Sequence, residues 1–256
     1  MVVTSAYPLP FRVVYPSGAM SSGRPLELTI EVERASDAER VRRHVLRFAA
    51  LSATGALAGA TIPPWDSEWD VSQIAIHAER IVRVSVARSR VADEGLVVLA
   101  HLLLATHHRS PIRRVEVESG DRRNQVPLQS NPDEPSSYPT KFAHLPFVVE
   151  DTEPEGGSYS FHGELAGPLS TDQERALNGA LASWIRCVRQ GGFALAPLDP
   201  RRCYVEPDSD AVTTFDAIVE WAVFKLSADS ACIGSLVNVF GAFHGRHQRL
   251  VRLVIE

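Results

Sequence analysis

Ser36-Asp37-Ala38-Glu39-Arg40 and Thr171-Asp172-Gln173-Glu174-Arg175 carry one pattern, S/T-D-x-E-R, at two places in a chain of 256 residues. In each, the Ser or Thr is placed to accept the amide hydrogen bond three residues on, while the Glu reaches back; such a capping box opens a helix. Apolar residues follow at helical spacing: Val41, Val45 and Phe48 after the first, and Leu177, Leu181, Trp184 and Val188 after the second. A second matched pair lies downstream. Val91-Ala92-Asp93-Glu94-Gly95 leads into an apolar helical run, and so does Ser227-Ala228-Asp229-Ser230-Ala231. The offset from Ser36 to Thr171 is 135 and that from Asp93 to Asp229 is 136, so the two halves share a register.

Outward from these anchors, each half reads strand, helix, one or two strands, helix, strand. The pieces are 25–33, 37–57, 72–90, 93–108 and 112–118 in the first half, and 158–165, 171–190, 201–225, 229–244 and 249–256 in the second. The expected class is therefore α/β (α+β): an internally duplicated β-α-β(β)-α-β unit with helices layered on mixed sheets. If the middle segments fold back as hairpins, each unit takes the ferredoxin-like order β-α-β-β-α-β; otherwise each is a shorter β-α-β-α-β layer. Leu96-Val97-Val98-Leu99-Ala100-His101-Leu102-Leu103-Leu104 has almost no polar face, which predicts a helix buried on most sides and units packed on one another. The units span 1–118 and 158–256. Residues 119–157 form an acidic, proline-rich connector in which Phe142 to Val149 is a candidate strand.

Composition narrows the class of protein. Hydrophobic residues make up 45% and charged residues 22%, ordinary globular usage. Cys187, Cys203 and Cys232 are odd in number and widely spaced, which fits reduced thiols inside a cell. No basic n-region opens the chain and no apolar run reaches a bilayer span, so a cytoplasmic protein without a membrane segment is expected. The formal charge of −5, with no basic stripe, argues against nucleic acid and suits a basic partner.

Catalytic signatures are absent. The sequence has no P-loop, no dinucleotide-binding glycines, no G-x-S-x-G elbow and no H-E-x-x-H, and no cofactor or metal is expected. Pro132-Asp133 and Lys141 faintly suggest a nuclease core, but the acid-x-lysine triplet is missing. His107-His108-Arg109 and His244-Gly245-Arg246-His247 each end an apolar helix; cations there complement the helix dipole, with Gly245 as a C-cap. His101 fits a hydrogen-bonded core histidine. Cys187 and Cys232 read as small hydrophobes, and Cys203, beside Arg201 and Arg202, as a strand residue.

One cluster lies outside the repeat: Pro63-Pro64-Trp65-Asp66-Ser67-Glu68-Trp69-Asp70. Trp65 and Trp69 can cap the core while the acids face water. Equally, aromatics and carboxylates together make a contact patch for an Arg/Lys-rich partner. Asp133, Glu134 and Tyr138 of the connector extend the same candidate surface.

With its strand-helix opening (Glu27 to Glu33, then Ser36 to Arg40), Trp-acid loop and acidic connector, the chain resembles the immunity proteins of bacterial polymorphic-toxin and type VI secretion systems. The resemblance implies a cytoplasmic, non-enzymatic inhibitor that covers the active site of a cognate toxin, a nuclease effector being one candidate. Trp65, Asp66, Glu68, Trp69, Asp70, Asp133, Glu134 and Tyr138 are the expected partner-binding residues, the partner a basic protein effector. A small-molecule-binding protein or enzyme with a pocket between the repeats is the alternative. An assembly subunit pairing through sheet edges, for example a homodimer, is a third reading.

Overall fold

A computed structural model describes residues 3–107, 109–120, 125–152, 157–194, 205–207 and 211–256. The first unit comprises β1 (Thr4–Ser5), β2 (Arg12–Pro16), β3 (Leu26–Val32), α1 (Ala38–Ala53), β4 (Glu68–His77), β5 (Ile81–Arg90), α2 (Gly95–His107) and β6 (Ile112–Ser119). The connector supplies β7 (Gln125–Pro127), β8 (Gln129–Ser130) and β9 (Val148–Asp151). The second unit comprises β10 (Tyr159–Leu165), α3 (Thr171–Arg189), β11 (Glu206–Pro207), β12 (Thr213–Phe215), β13 (Ile218–Phe224), α4 (Ala231–Arg246) and β14 (Leu250–Ile255).

The strands follow period-two chemistry. In β3, Leu26, Leu28, Ile30 and Val32 are buried, while Glu27, Thr29 and Glu31 alternate on the open face. Strand order is β4-β5-β3-β6-β2-β7 in one large sheet and β11-β13-β10-β14-β9 in a second, with β12 also pairing β13, while β1 and β8 form a small parallel pair. In each large sheet the strand that leads into the first helix is central and antiparallel to both neighbours: β3 between β5 and β6, β10 between β13 and β14. In each, a strand from earlier in the chain adds in parallel, β2 outside β6 and β9 outside β14. The middle segments do fold back, β4 on β5 and β12 on β13. The fold class is α+β, with mixed sheets. Of the expected connector strand Phe142 to Val149 only Val148 and Val149 pair, at the start of β9, because Tyr138, Phe142 and Phe147 are buried in the core and hold the preceding stretch against it.

The helix starts differ from the expected capping boxes. Residues Ala35–Asp37 form a 3₁₀ turn ahead of α1, and no side chain caps that helix. Asp37 is 4% exposed and turns inward, its Oδ1 accepting the Ser110 hydroxyl at 3.2 Å. At α3 the box exists one residue earlier: Ser170 Oγ accepts the Gln173 amide, and Gln173 Oε1 accepts the Ser170 amide at 2.8 Å. Glu174, released from capping, accepts the Thr214 hydroxyl at 2.8 Å.

The first sheet packs on α1 through β4 and β5, the second meets α4 through Phe161 and Phe240 and α3 through Trp221 and Trp184, and α1 meets α3. One continuous apolar cluster runs through both units. Every residue of α2 from Gly95 to Ala105 is buried. Its cover comes from Phe48 of α1, from Ser5 and Tyr7 near the first strand, from Tyr138 of the connector and from the turn at Gly192. No described helix is long and apolar enough to cross a membrane.

The β4–β5 hairpin closes through Ala78 and Glu79, both left-handed, at φ 47° and 59°. In this three-residue connection, 78–80, Ala78 and Glu79 are the central pair of a turn closed by the Arg80 amide on the His77 carbonyl, and a left-handed pair favours Asn-Gly because a Cβ crowds its own carbonyl there. Ala78→Asn combined with Glu79→Gly is expected to stabilise the protein by about 1 kcal/mol, read as a higher urea midpoint at unchanged slope.

Candidate functional site

The Trp-acid segment forms the wall of a cleft of about 590 Å³. Trp65, Asp66, Ser67, Glu68, Trp69 and Asp70 line it together with Ala49 and Ala53 of α1, Arg88 and Arg90 of β5, and Arg246 of α4. Five of the eight expected partner-binding residues thus converge on one concavity.

Two opposed influences shape this loop. Pro63 and Pro64 end the preceding coil and open a 3₁₀ turn, Pro64–Asp66, from which β4 begins. Arg246 then fastens the turn from the other unit. Its Nε donates to the Trp65 carbonyl at 3.0 Å, Nη1 to Ala53 at 2.6 Å, and Nη2 to Pro64 at 3.2 Å and Ser67 at 2.6 Å. Ala53 is the last residue of α1, so the guanidinium also sits at the negative end of that helix. Burial lowers the pKa of Arg246, against which the Asp66 and Glu68 charges act. Gly245 is not a C-cap: α4 runs through it, and a Cβ there would lie 2.5 Å from Trp65 Cβ. Its missing side chain is the seat of Trp65, whose ring meets Phe142 edge-on at 5.6 Å.

The two tryptophans therefore differ. Trp65 is half-buried and reaches the cleft, whereas Trp69 is 4% exposed and packs edge-on against Phe48 at 4.9 Å. Asp66 and Asp70 are exposed; Glu68 is half-buried and pairs with Arg88 at 3.3 Å. Trp69 Nε1 and Ser67 Oγ are buried without a partner among the described residues.

The connector residues are placed elsewhere. Asp133 and Glu134 are exposed on a turn at Asn131, outside the cleft lining. Tyr138 is 3% exposed and is corrected from surface to core: its hydroxyl lies 2.8 Å from His101 Nδ1 and donates to the Ala194 carbonyl at 3.3 Å. His101 Nε2 in turn meets Ser5 Oγ at 2.9 Å. This chain ties the N-terminal segment, α2 and the connector together, the role expected for His101.

Two of the helix-end histidines link helix to strand: His107 Nδ1 accepts the Ile112 amide at 3.1 Å, and His244 Nδ1 lies 3.0 Å from the Leu250 amide and 3.1 Å from its carbonyl, so each joins its helix to the following strand. Cys187 and Cys232 are fully enclosed, and burial pushes both thiols up, away from reactivity. His108, Arg201, Arg202 and Cys203 lie outside the described residues. Among the described residues no three His, Cys, Asp or Glu side chains are grouped to hold a metal. Between α1, α3 and α4 the unit seam holds a cavity of about 170 Å³, below the ~300–1,000 Å³ of small-molecule sites.

No protein-family model matches the chain, and no curated protein matches it. The cleft must be read from its own chemistry.

Two buried histidines set a pH dependence. Burial lowers His101 to about 3 and, with help from Arg47, Arg43 and Arg40, lowers His44 to about 4, both from 6.5. The unfolded chain binds these protons first as pH falls, so stability is complete above about pH 6.5 and declines towards pH 4, each group adding up to about 1.4 kcal/mol per pH unit. His44→Leu, which removes an unpartnered nitrogen, is expected to leave stability at pH 7.5 nearly unchanged and to flatten the acid limb. Urea unfolding at half-unit steps from pH 7.5 to 4.5 in chloride buffer measures both.

Proposed function

We propose that the chain is a non-enzymatic binding protein of the immunity type, which acts in the cytoplasm and occludes a basic protein effector. The observation that carries this reading is the fastening of the Trp-acid loop by Arg246: it holds Asp66, Glu68 and Asp70 around a preformed cleft beside Trp65. A loop ordered before binding spares the entropy of ordering on contact. The carboxylates steer a cationic partner, and the exposed part of Trp65 supplies an apolar contact for its side chain. If the effector is a nuclease, the same carboxylates stand in for nucleic-acid phosphates.

The products of the genes flanking this one are the partners to test. One of them, expressed alone, is expected to arrest growth and to be neutralised by co-expression. Asp66→Lys with Asp70→Lys should slow association roughly 10- to 100-fold at low salt. Asp133→Lys with Glu134→Lys, outside the cleft, should change it little. An association rate indifferent to the first pair, or flanking products that do not bind, would overturn the proposal. A small ligand in the same cleft is the second reading, favoured by the cleft volume and by the unpartnered Ser67 hydroxyl and Trp69 N–H in its wall. A metabolite thermal-shift screen tests it.

A further inference from the structure

The edge of a sheet is a row of unpaired N–H and C=O groups, and proteins keep such rows short or interrupt them. The edge strands β7, β9, β11 and β12 obey this: they are two to four residues long, and β7 and β11 end on Pro127 and Pro207. β4 does not. It runs for ten residues, Glu68–His77, without a proline, lysine or arginine. It pairs with β5 alone, and among the described residues no backbone hydrogen bond reaches its outer side. Two bonds fix which of its groups face outward. The Arg80 carbonyl accepts the Val32 amide at 2.8 Å, so Arg80 turns to β3; the Ser85 carbonyl accepts the Ser72 hydroxyl at 3.0 Å, so Ser85 turns to β4. Hydrogen-bonding direction alternates along a strand. Ile81, Arg83 and Ser85 therefore serve β4, through their partners His77, Ala75 and Gln73. The N–H and C=O of Ile74 and Ile76 point outward. Their side chains oppose the buried Val84 and Val82 on the helix-facing side, where Ile76 is still 42% exposed.

We propose that β4 takes up an extended segment of the basic effector as a seventh strand of its six-stranded sheet. This rests on the reading of the Trp-acid cleft as an effector site and adds how the effector is held. Strand and cleft are continuous: Glu68, Trp69, Asp70 and Val71 belong to β4 and line the cleft. Register shifts between Asp70 and Gln73 interrupt the ladder, so regular pairing is confined to 73–77. Asp70 lies four residues before Ile74, about 13 Å along the strand. An added strand therefore meets an apolar flank at Ile74 and Ile76, and a Lys or Arg about four residues along it reaches Asp70, with Asp66 beyond. Main-chain bonds supply affinity for an extended segment, and the carboxylates select a cationic one. The second unit has no counterpart, since β12, which occupies the place of β4 there, is three residues long.

Amide exchange in the full-length protein, with the peptide acetyl-(Lys-Val)4-amide as probe, tests this. The peptide should slow exchange at Ile74 and Ile76 at least about fivefold, and acetyl-(Glu-Val)4-amide should bind at least about tenfold more weakly. Ile76→Pro removes an outward N–H and leaves the β4–β5 bonds in place, so the variant should fold and lose the protection at Ile74. Ile76→Lys, which places a charge on the edge, should lose it too. No protection in the wild type, protection kept by both variants, equal binding of the two peptides, or a wild-type dimer in sedimentation that Ile76→Lys splits overturns the proposal. The flanking gene product separates this from the cleft reading. A product whose association responds to Asp66→Lys with Asp70→Lys, but which leaves Ile74 and Ile76 exchanging freely, overturns the added strand alone. Flanking products that do not bind, beside an edge protected by the peptide, overturn the effector reading and leave β4 a site for basic strands.

Discussion

Arg246→Met should cost about 3–5 kcal/mol of stability, a fall in Tm of roughly 10 °C. Methionine keeps the apolar stem, so the loss isolates the guanidinium. Four carbonyls, of Ala53, Pro64, Trp65 and Ser67, lose their charged donor together, and two of those bonds are 2.6 Å long. The part-buried acceptors of Pro64 and Ser67, left alone, carry a desolvation cost of their own, while those of Ala53 and Trp65 lose a charged bond that water replaces in part. Arg246→Lys should fall between the two, since an ammonium offers three donors from one point and cannot span the loop. The loop should also loosen: amide exchange across 54–67 is expected to quicken well before global unfolding. Loss of less than about 1 kcal/mol would sink the role assigned to Arg246.

Asn238→Leu should cost about 3 kcal/mol, although it keeps the branched outline of the side chain. Asn238 is fully buried, and its amide is saturated by two other segments. Oδ1 accepts the Phe142 amide at 2.8 Å, while Nδ2 donates to the Ala58 carbonyl at 3.1 Å and the Thr140 carbonyl at 2.9 Å. Leucine leaves one donor and two acceptors without partners in the core. Asn238→Asp should be worse at neutral pH, because a buried carboxylate then faces two carbonyl oxygens. Part of its deficit should return near pH 5, as the carboxyl takes up a proton and can donate to one carbonyl. Urea unfolding of the three proteins at pH 7 and pH 5 decides this, and equal stability of the leucine variant and wild type would falsify it.

Both predictions rest on α4, the element whose pattern was least read from sequence. Periodicity alone identified the strands around β3, the amphipathic α1 and α3, and the enclosed α2, because those depend on near neighbours in the chain. The Trp-acid loop stood out by composition, and its residues do meet at a cleft. What sequence reasoning missed is the partner of that loop. Arg246 reads as a helix-end cation, and nothing local in the sequence marks Asn238. Yet Gly234, Asn238, Gly241 and Gly245 recur at spacings of four, three and four, a stripe along one side of a helix. A Cβ at Gly234, Gly241 or Gly245 would press on Lys141, Leu145 with Pro64, or Trp65 respectively. That stripe was the available signal: small residues where another backbone lies close, with one amide to satisfy it. The capping boxes failed for a local reason, since Asp37 is drawn inward to Ser110 and Ser170 outcompetes Thr171 by one residue. Tyr138 misled because a tyrosine among prolines and serines carries no sign of the histidine it will meet from another element.

The enclosure of α2 also bears on how the protein is made. Part of its cover lies far along the chain: α2 ends at His107, and the turn at Gly192 that packs on Val98 follows 85 positions later. At about 5–20 residues per second, a ribosome needs roughly 4–17 s to bridge that gap. Through that interval α2 has been synthesised but lacks part of its cover, and its leucines and valines face solvent or a chaperone. Nascent chains stalled before α3 should therefore bind holdases, and lower growth temperatures should raise soluble yield more than added folding time in the test tube.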